Sequence, residues 1–204
     1  MLRPEATRGT EDVPSTSLGR MIITDFPRDL LMTGAIFGVA AFVWAGWAQE
    51  RPPKHWIWRV ILAVLGLGGA ALAGISLPAA IRNWSEPTAI SVGTPAFIVY
   101  IVVFWLEVAA MIALAIWASR KKRQDLIPVF VLAVVGIHFV PLAWVFVQPM
   151  YALVGMVLTG LAVLIGRMNE TPIARSFWCG LTAAPVLLVA GIACAVAGFG
   201  ALGD

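Results

Sequence analysis

The chain has 204 residues, 60% of them hydrophobic and only 12% charged, with a formal net charge of +3. A soluble domain carries about a quarter charged residues, so water is not the main solvent of this fold. The lysines and arginines gather between apolar runs, not along a stripe interleaved with aromatics, which argues against nucleic acid as a partner.

Residues 1–29 are polar and mixed in charge, with Pro4, Pro14, Ser15, Thr16 and Ser17 and no apolar run. They are expected to form a disordered tail, because they cannot bury enough surface to offset ordering. The tail lacks the basic start and small-residue cleavage site of a signal peptide, and Met21 offers an alternative start.

From residue 30 to 204 the sequence predicts a single all-α membrane domain. The first apolar run, 30–48, is free of charge between Asp29 and Glu50. About twenty apolar residues cross a hydrocarbon core of about 30 Å, so this run spans. The second run, 60–81, lies between Arg59 and Arg82 and is rich in glycine. The third, 96–119, contains one carboxylate, Glu107. After the basic cluster Arg120, Lys121, Lys122 and Arg123 comes the fourth, 126–147, with one imidazole, His138. The fifth, 150–165, follows a Gln148-Pro149 turn, and the sixth, 176–202, follows Arg175. Each is helical, since lipid offers no partner for a backbone amide and the alternation expected of barrel strands is absent.

Connections after the odd-numbered runs hold Arg51, Lys54, Arg59, Arg120, Lys121, Lys122, Arg123, Arg167 and Arg175. The positive-inside rule assigns these connections to the cytoplasm and both termini to the outside of a cell inner (plasma) membrane. Trp44, Trp47, Trp56, Trp58, Trp117 and Trp178 fall at the basic ends of the runs, and Trp84, Tyr100, Trp144 and Tyr151 at the other ends. That distribution is the aromatic belt of a membrane protein. Trp105 is the exception, mid-run, and is expected to pack against a neighbouring helix.

Two residues stand out chemically. An ionised carboxylate near the bilayer centre costs on the order of 3 kcal/mol, so Glu107 must be neutral, paired or facing water. Runs three and four are joined by a tight basic turn and must be antiparallel. The midpoint between positions 107 and 138 falls within that turn, between Lys122 and Arg123, so the two residues share one depth on adjacent helices. Whether they touch depends on helix rotation. They form either a proton-handling or cation-binding site, or a structural hydrogen bond between helices. Pro141 lacks an N–H and frees the carbonyl of Ile137, which either joins the site as a polar group or marks a simple kink.

Small-residue pairs such as Gly69/Ala73, Gly191/Ala195 and Cys194/Gly198 allow close helix approach, within the bundle or between copies. Cys179 and Cys194 lie in one run roughly 22 Å apart by helical rise, too far to pair. No lysine lies inside a run to carry a retinal-type Schiff base. Phosphate loops, His-Glu-x-x-His, Gly-x-Ser-x-Gly and Cys-x-x-Cys are all missing, so neither metal nor cofactor is expected.

The stretch His138-Phe139-Val140-Pro141-Leu142-Ala143, followed by Phe146, Pro149 and Tyr151, resembles a segment of small uncharacterised multi-pass membrane proteins of bacteria. The resemblance implies a bacterial inner-membrane location and brings no catalytic residues. The leading expectation is a non-enzymatic six-helix protein, a small proton- or cation-linked permease using Glu107 and His138. The alternative is an accessory or assembly subunit that binds a membrane-protein partner or a second copy of itself. An intramembrane enzyme is a third class, for which the sequence supplies no nucleophile.

Overall fold

The computed structural model describes residues 21–169 and 172–203, and among these it contains helices and no strand. The helices are α1 Pro27–Ala48, α2 Ile57–Arg82, α3 Pro95–Arg120, α4 Ile127–Val145, α5 Pro149–Gly166 and α6 Arg175–Gly203. All six are long and apolar enough to cross a membrane. A multi-pass membrane protein is the result, with spans within a few residues of those the hydropathy gives.

Proline and short polar residues set the helix starts. Pro27, Pro95, Pro128 and Pro149 occupy first-turn positions, where the missing N–H costs nothing. Thr94 caps α3 by accepting a hydrogen bond from the Phe97 N–H at 3.3 Å. Helices α2, α4 and α6 continue through Pro78, Pro141 and Pro185.

Helices α3 and α4 both end with a left-handed residue, Lys122 at φ 56° and Val147 at φ 53°. The Arg123 N–H reaches the Ala118 carbonyl at 2.8 Å, and the Gln148 N–H reaches Ala143 at 2.9 Å. These are Schellman-type ends, which satisfy orphan carbonyls while reversing the chain.

Helix α1 lies between α2 and α6, while α4 lies between α3 and α5, and α6 joins the two groups. Consecutive halves of the chain are therefore not the packing units. The tightest crossings use glycine. A Cβ on Gly38 would sit 2.6 Å from the Gly69 carbonyl oxygen across α1 and α2, and one on Gly155 2.6 Å from the Gly136 oxygen across α4 and α5. The pairs Gly69/Ala73 and Gly191/Ala195 thus serve internal packing, the latter closing on Gly34 of α1. Gly198 faces Pro27 and Leu31, so α1 begins where α6 ends. Cys179 and Cys194 are buried free thiols.

Three expectations need correction. Residues 21–29 are not part of a loose tail: Met21 and Ile22 pack on the core, and α1 already begins at Pro27. The buried Gln148 side chain accepts from the Ile23 N–H at 3.1 Å and donates to the Ile23 carbonyl at 2.5 Å. One amide thus replaces a backbone partner for a segment too short to fold alone. Residues 1–20 lie outside the described residues. Trp105 does not pack between helices but is 62% exposed on the outer face of α3, with Phe104 of its own helix beside it. Tyr151 and Trp44 are core residues, 4% and 5% exposed, not members of the belt.

Candidate functional site

Helix α3 buries only Ala118 and packs chiefly against α4. Because α3 stands away from α1, the bundle encloses a cavity of about 440 Å³ bounded by α1, α3 and α4 and backed by α5. Two residues of its wall, Ile36 and Phe104, are 56% and 44% exposed, and α1 and α3 scarcely touch. The wall between these two helices is therefore incomplete.

Glu107 lies halfway along α3, His138 lies in the middle of α4, and both line this cavity. The Glu107 Oε1 is 3.4 Å from the His138 Nδ1, with the side chains only 15% and 16% exposed. The imidazole Nδ1 is buried and the alignment falls short of a hydrogen bond. The carboxylate and imidazole thus lie within ion-pair distance, yet neither is saturated by the other. Equal depth on antiparallel neighbours brought them level, and helix rotation turned both inward.

Ile137 and Pro141, the other two residues singled out from the sequence, do not line the cavity. The Ile137 side chain is 59% exposed on the outer face of α4. The helical register explains this: His138 and Phe139 point inward, so Ile137 one position earlier is rotated by about 100° toward the periphery.

The back wall is aromatic. Phe37 of α1 meets Phe139 edge-on at 5.3 Å, and Tyr151 of α5 stands 5.9 Å from each of them. The Thr33 hydroxyl donates to the Asp29 carbonyl at 2.7 Å, which leaves the Tyr151 hydroxyl to donate to Thr33 Oγ1 in a close contact. Tyr100 and Phe146 close the wall between α3 and α4, with centroids 6.0 Å apart.

At the end where α1 begins, the mouth is polar and internally bonded. Asp29 Oδ2 accepts from Thr88 Oγ1 at 3.0 Å and from the Ala89 N–H at 2.8 Å, tying the α2–α3 loop to the first turn of α1. Arg28 donates to the Trp84 carbonyl at 2.7 Å, lies 4.8 Å over the Trp84 ring, and sits 3.5 Å from Asp29. The inner end of the cavity is closed by Trp44, stacked on Trp47 at 5.5 Å. Beyond that plug, Arg175 bonds Asp125 and the Met168 carbonyl, and Ser176 donates to Glu50 at 3.0 Å.

Sequence reasoning missed Thr33, Tyr151, Phe37 and Phe139 as parts of the site, and placed Arg28 and Asp29 in the tail. Thr33 did carry a signal as the lone hydroxyl of the first apolar run. Among the described residues no group of three or more His, Cys, Asp or Glu side chains is arranged to hold a metal ion.

Fold and site together define a six-helix integral membrane protein with a cavity between α1, α3 and α4 and an ionisable pair at mid-depth. Comparison with protein-family models, with curated proteins and with solved structures gives no match.

Proposed function

We propose that this protein is a small carrier that exchanges a cation for a proton at the Glu107 and His138 pair. The observation that carries the reading is the 3.4 Å approach of these two groups on the wall of a mid-depth cavity. Ionisable residues within a membrane are costly, and they mark ion and proton pathways when they face a cavity. A cation entering the cavity neutralises the Glu107 carboxylate and displaces the proton held by the pair. A proton arriving at the pair removes the negative charge and releases the cation. The described conformation is plugged by Trp44 at one end of the cavity, which suits one half of an alternating cycle.

The Lys- and Arg-rich connections support a cytoplasmic position for the plugged end, with both chain ends on the opposite side. The His-Phe-x-Pro-Leu-Ala resemblance supports a bacterial inner membrane. Single cysteines at Ser85 and Gln124 are expected to label from opposite sides of intact cells. Labelling of both from outside would overturn this orientation.

The carrier reading is tested in proteoliposomes with an acidic interior and an internal pH dye. External sodium, potassium or tetraphenylphosphonium is added in turn. At least one cation is expected to collapse the proton gradient, and protein-free vesicles should not respond comparably. A gradient indifferent to all of them overturns the reading.

A further inference from the structure

We infer that the cavity takes an aromatic or otherwise apolar organic cation that reaches it sideways from the bilayer, not an inorganic ion arriving through water. This inference rests on the cation-exchange reading and names the substrate class for the same site.

The oxygen atoms of the cavity argue against a small metal ion, which needs several oxygen ligands converging at fixed distances. Thr33 and Tyr151 are almost fully buried, with Thr33 Oγ1 already accepting from Tyr151, and Asp29 Oδ2 is held by Thr88 and Ala89. Glu107 is left as the single carboxylate at mid-depth. One carboxylate balances one positive charge without stripping a hydration shell and replacing it.

The walls argue for the rest of the ligand. Phe37, Tyr100, Phe104, Phe139 and Tyr151 line the same cavity as the carboxylate. Aromatic faces attract a cation by about 0.5–2 kcal/mol each, more when water is excluded. A volume of about 440 Å³ falls in the range that holds a drug-sized molecule. Such a ligand partitions into the bilayer before it binds, and the sparse contact between α1 and α3, where Ile36 and Phe104 lie, offers it a way in.

Charge balance sets the pH dependence. The other ionisable groups on the wall are Arg28 and Asp29 of α1, Tyr100 of α3 and Tyr151 of α5, whereas α6 contributes only Leu187. Arg28 and Asp29 offset each other at the mouth, so the net charge at mid-depth is set by Glu107 and His138. Protonation of that pair competes with the cation, and affinity falls as pH falls.

The test measures saturable binding of radiolabelled tetraphenylphosphonium to the purified full-length protein in detergent, at alkaline and acid pH. Binding is expected at alkaline pH and should weaken at least about tenfold on acidification, a difference of about 1.4 kcal/mol. Glu107→Gln should weaken it by a similar factor or more. Phe104→Ala, at a half-exposed wall position where folding is not at stake, should weaken it several-fold. Sodium and tetramethylammonium should not compete. Ile36→Trp should slow association by narrowing the way in between α1 and α3.

No saturable binding, or binding indifferent to Glu107→Gln and Phe104→Ala, overturns the assignment. An unchanged association rate in Ile36→Trp overturns the lateral route. Proton exchange driven by sodium or potassium without tetraphenylphosphonium binding sinks this substrate class and leaves the carrier reading standing. Tetraphenylphosphonium binding without proton exchange sinks the carrier reading and leaves the binding site.

Discussion

Glu107→Gln is expected to reduce cation-driven proton exchange to the level of protein-free vesicles while leaving the bundle folded. The amide keeps the shape of the carboxylate but neither carries charge nor binds and releases a proton at accessible pH. A charge-assisted contact is worth about 1.5–3 kcal/mol, so cation affinity should fall roughly 10- to 100-fold along with it. His138→Leu should also lose coupling, because the partner that shares the proton is gone. The competing idea is that the pair is a brace between α3 and α4. Breaking a buried ionic brace by removing one partner costs about 3–5 kcal/mol, and removing both returns part of it. The site reading expects something different. The pair sits on a cavity wall 3.4 Å apart, without hydrogen-bond alignment. Each single change should then cost less than that, because a pair not aligned for hydrogen bonding loses little when one member is removed. Unfolding of the two single variants and of Glu107→Gln with His138→Leu, read beside exchange, separates the cases. A large coupling energy together with exchange retained in the double variant would make the pair a brace and end the carrier proposal.

The second large effect lies at the α4–α5 crossing, which sets the rotation of His138. Gly155→Ala is expected to destabilise the protein by about 1–3 kcal/mol, the usual cost of overpacking, and Gly155→Leu by more. The added Cβ would meet the Gly136 carbonyl oxygen at 2.6 Å and the Phe139 Cβ at 3.0 Å. Backbone yields less than a side-chain tip, so α4 itself must shift, and the cavity wall with it. Gly160 on the same helix supplies the control, because nothing lies within 4 Å of a Cβ there. Gly160→Ala should be neutral or slightly stabilising, since alanine is the better helix former by up to about 1 kcal/mol. Thermal unfolding in detergent measures both. Equal melting points for the two alanine variants would show that the crossing is not tight.

Hydropathy by itself determined the six spans, and the turn between Arg120 and Asp125 determined that Glu107 and His138 share a depth. Both follow from position along the membrane normal, which composition reports directly because the hydrocarbon layer has a fixed thickness. Rotation about each helix axis was not legible. In a membrane the lipid-facing side and the packed side of a helix are both apolar, so no polar face marks which way a residue points. That ambiguity is why Trp105 could be expected inside when it lies outside, and why Tyr151 could be expected in the belt when it is buried. The same ambiguity hid the sparse packing of α3 on α1, since α3 reads as one more apolar span although it buries only Ala118. Long-range pairing decided the remainder. The amide of Gln148 fixes Ile23, 125 positions earlier, and the carboxylate of Asp29 holds the loop before α3. Neither partner carries a local pattern that announces the other. Depth was written in the sequence, while orientation, the cavity and its mouth came from side chains meeting across helices.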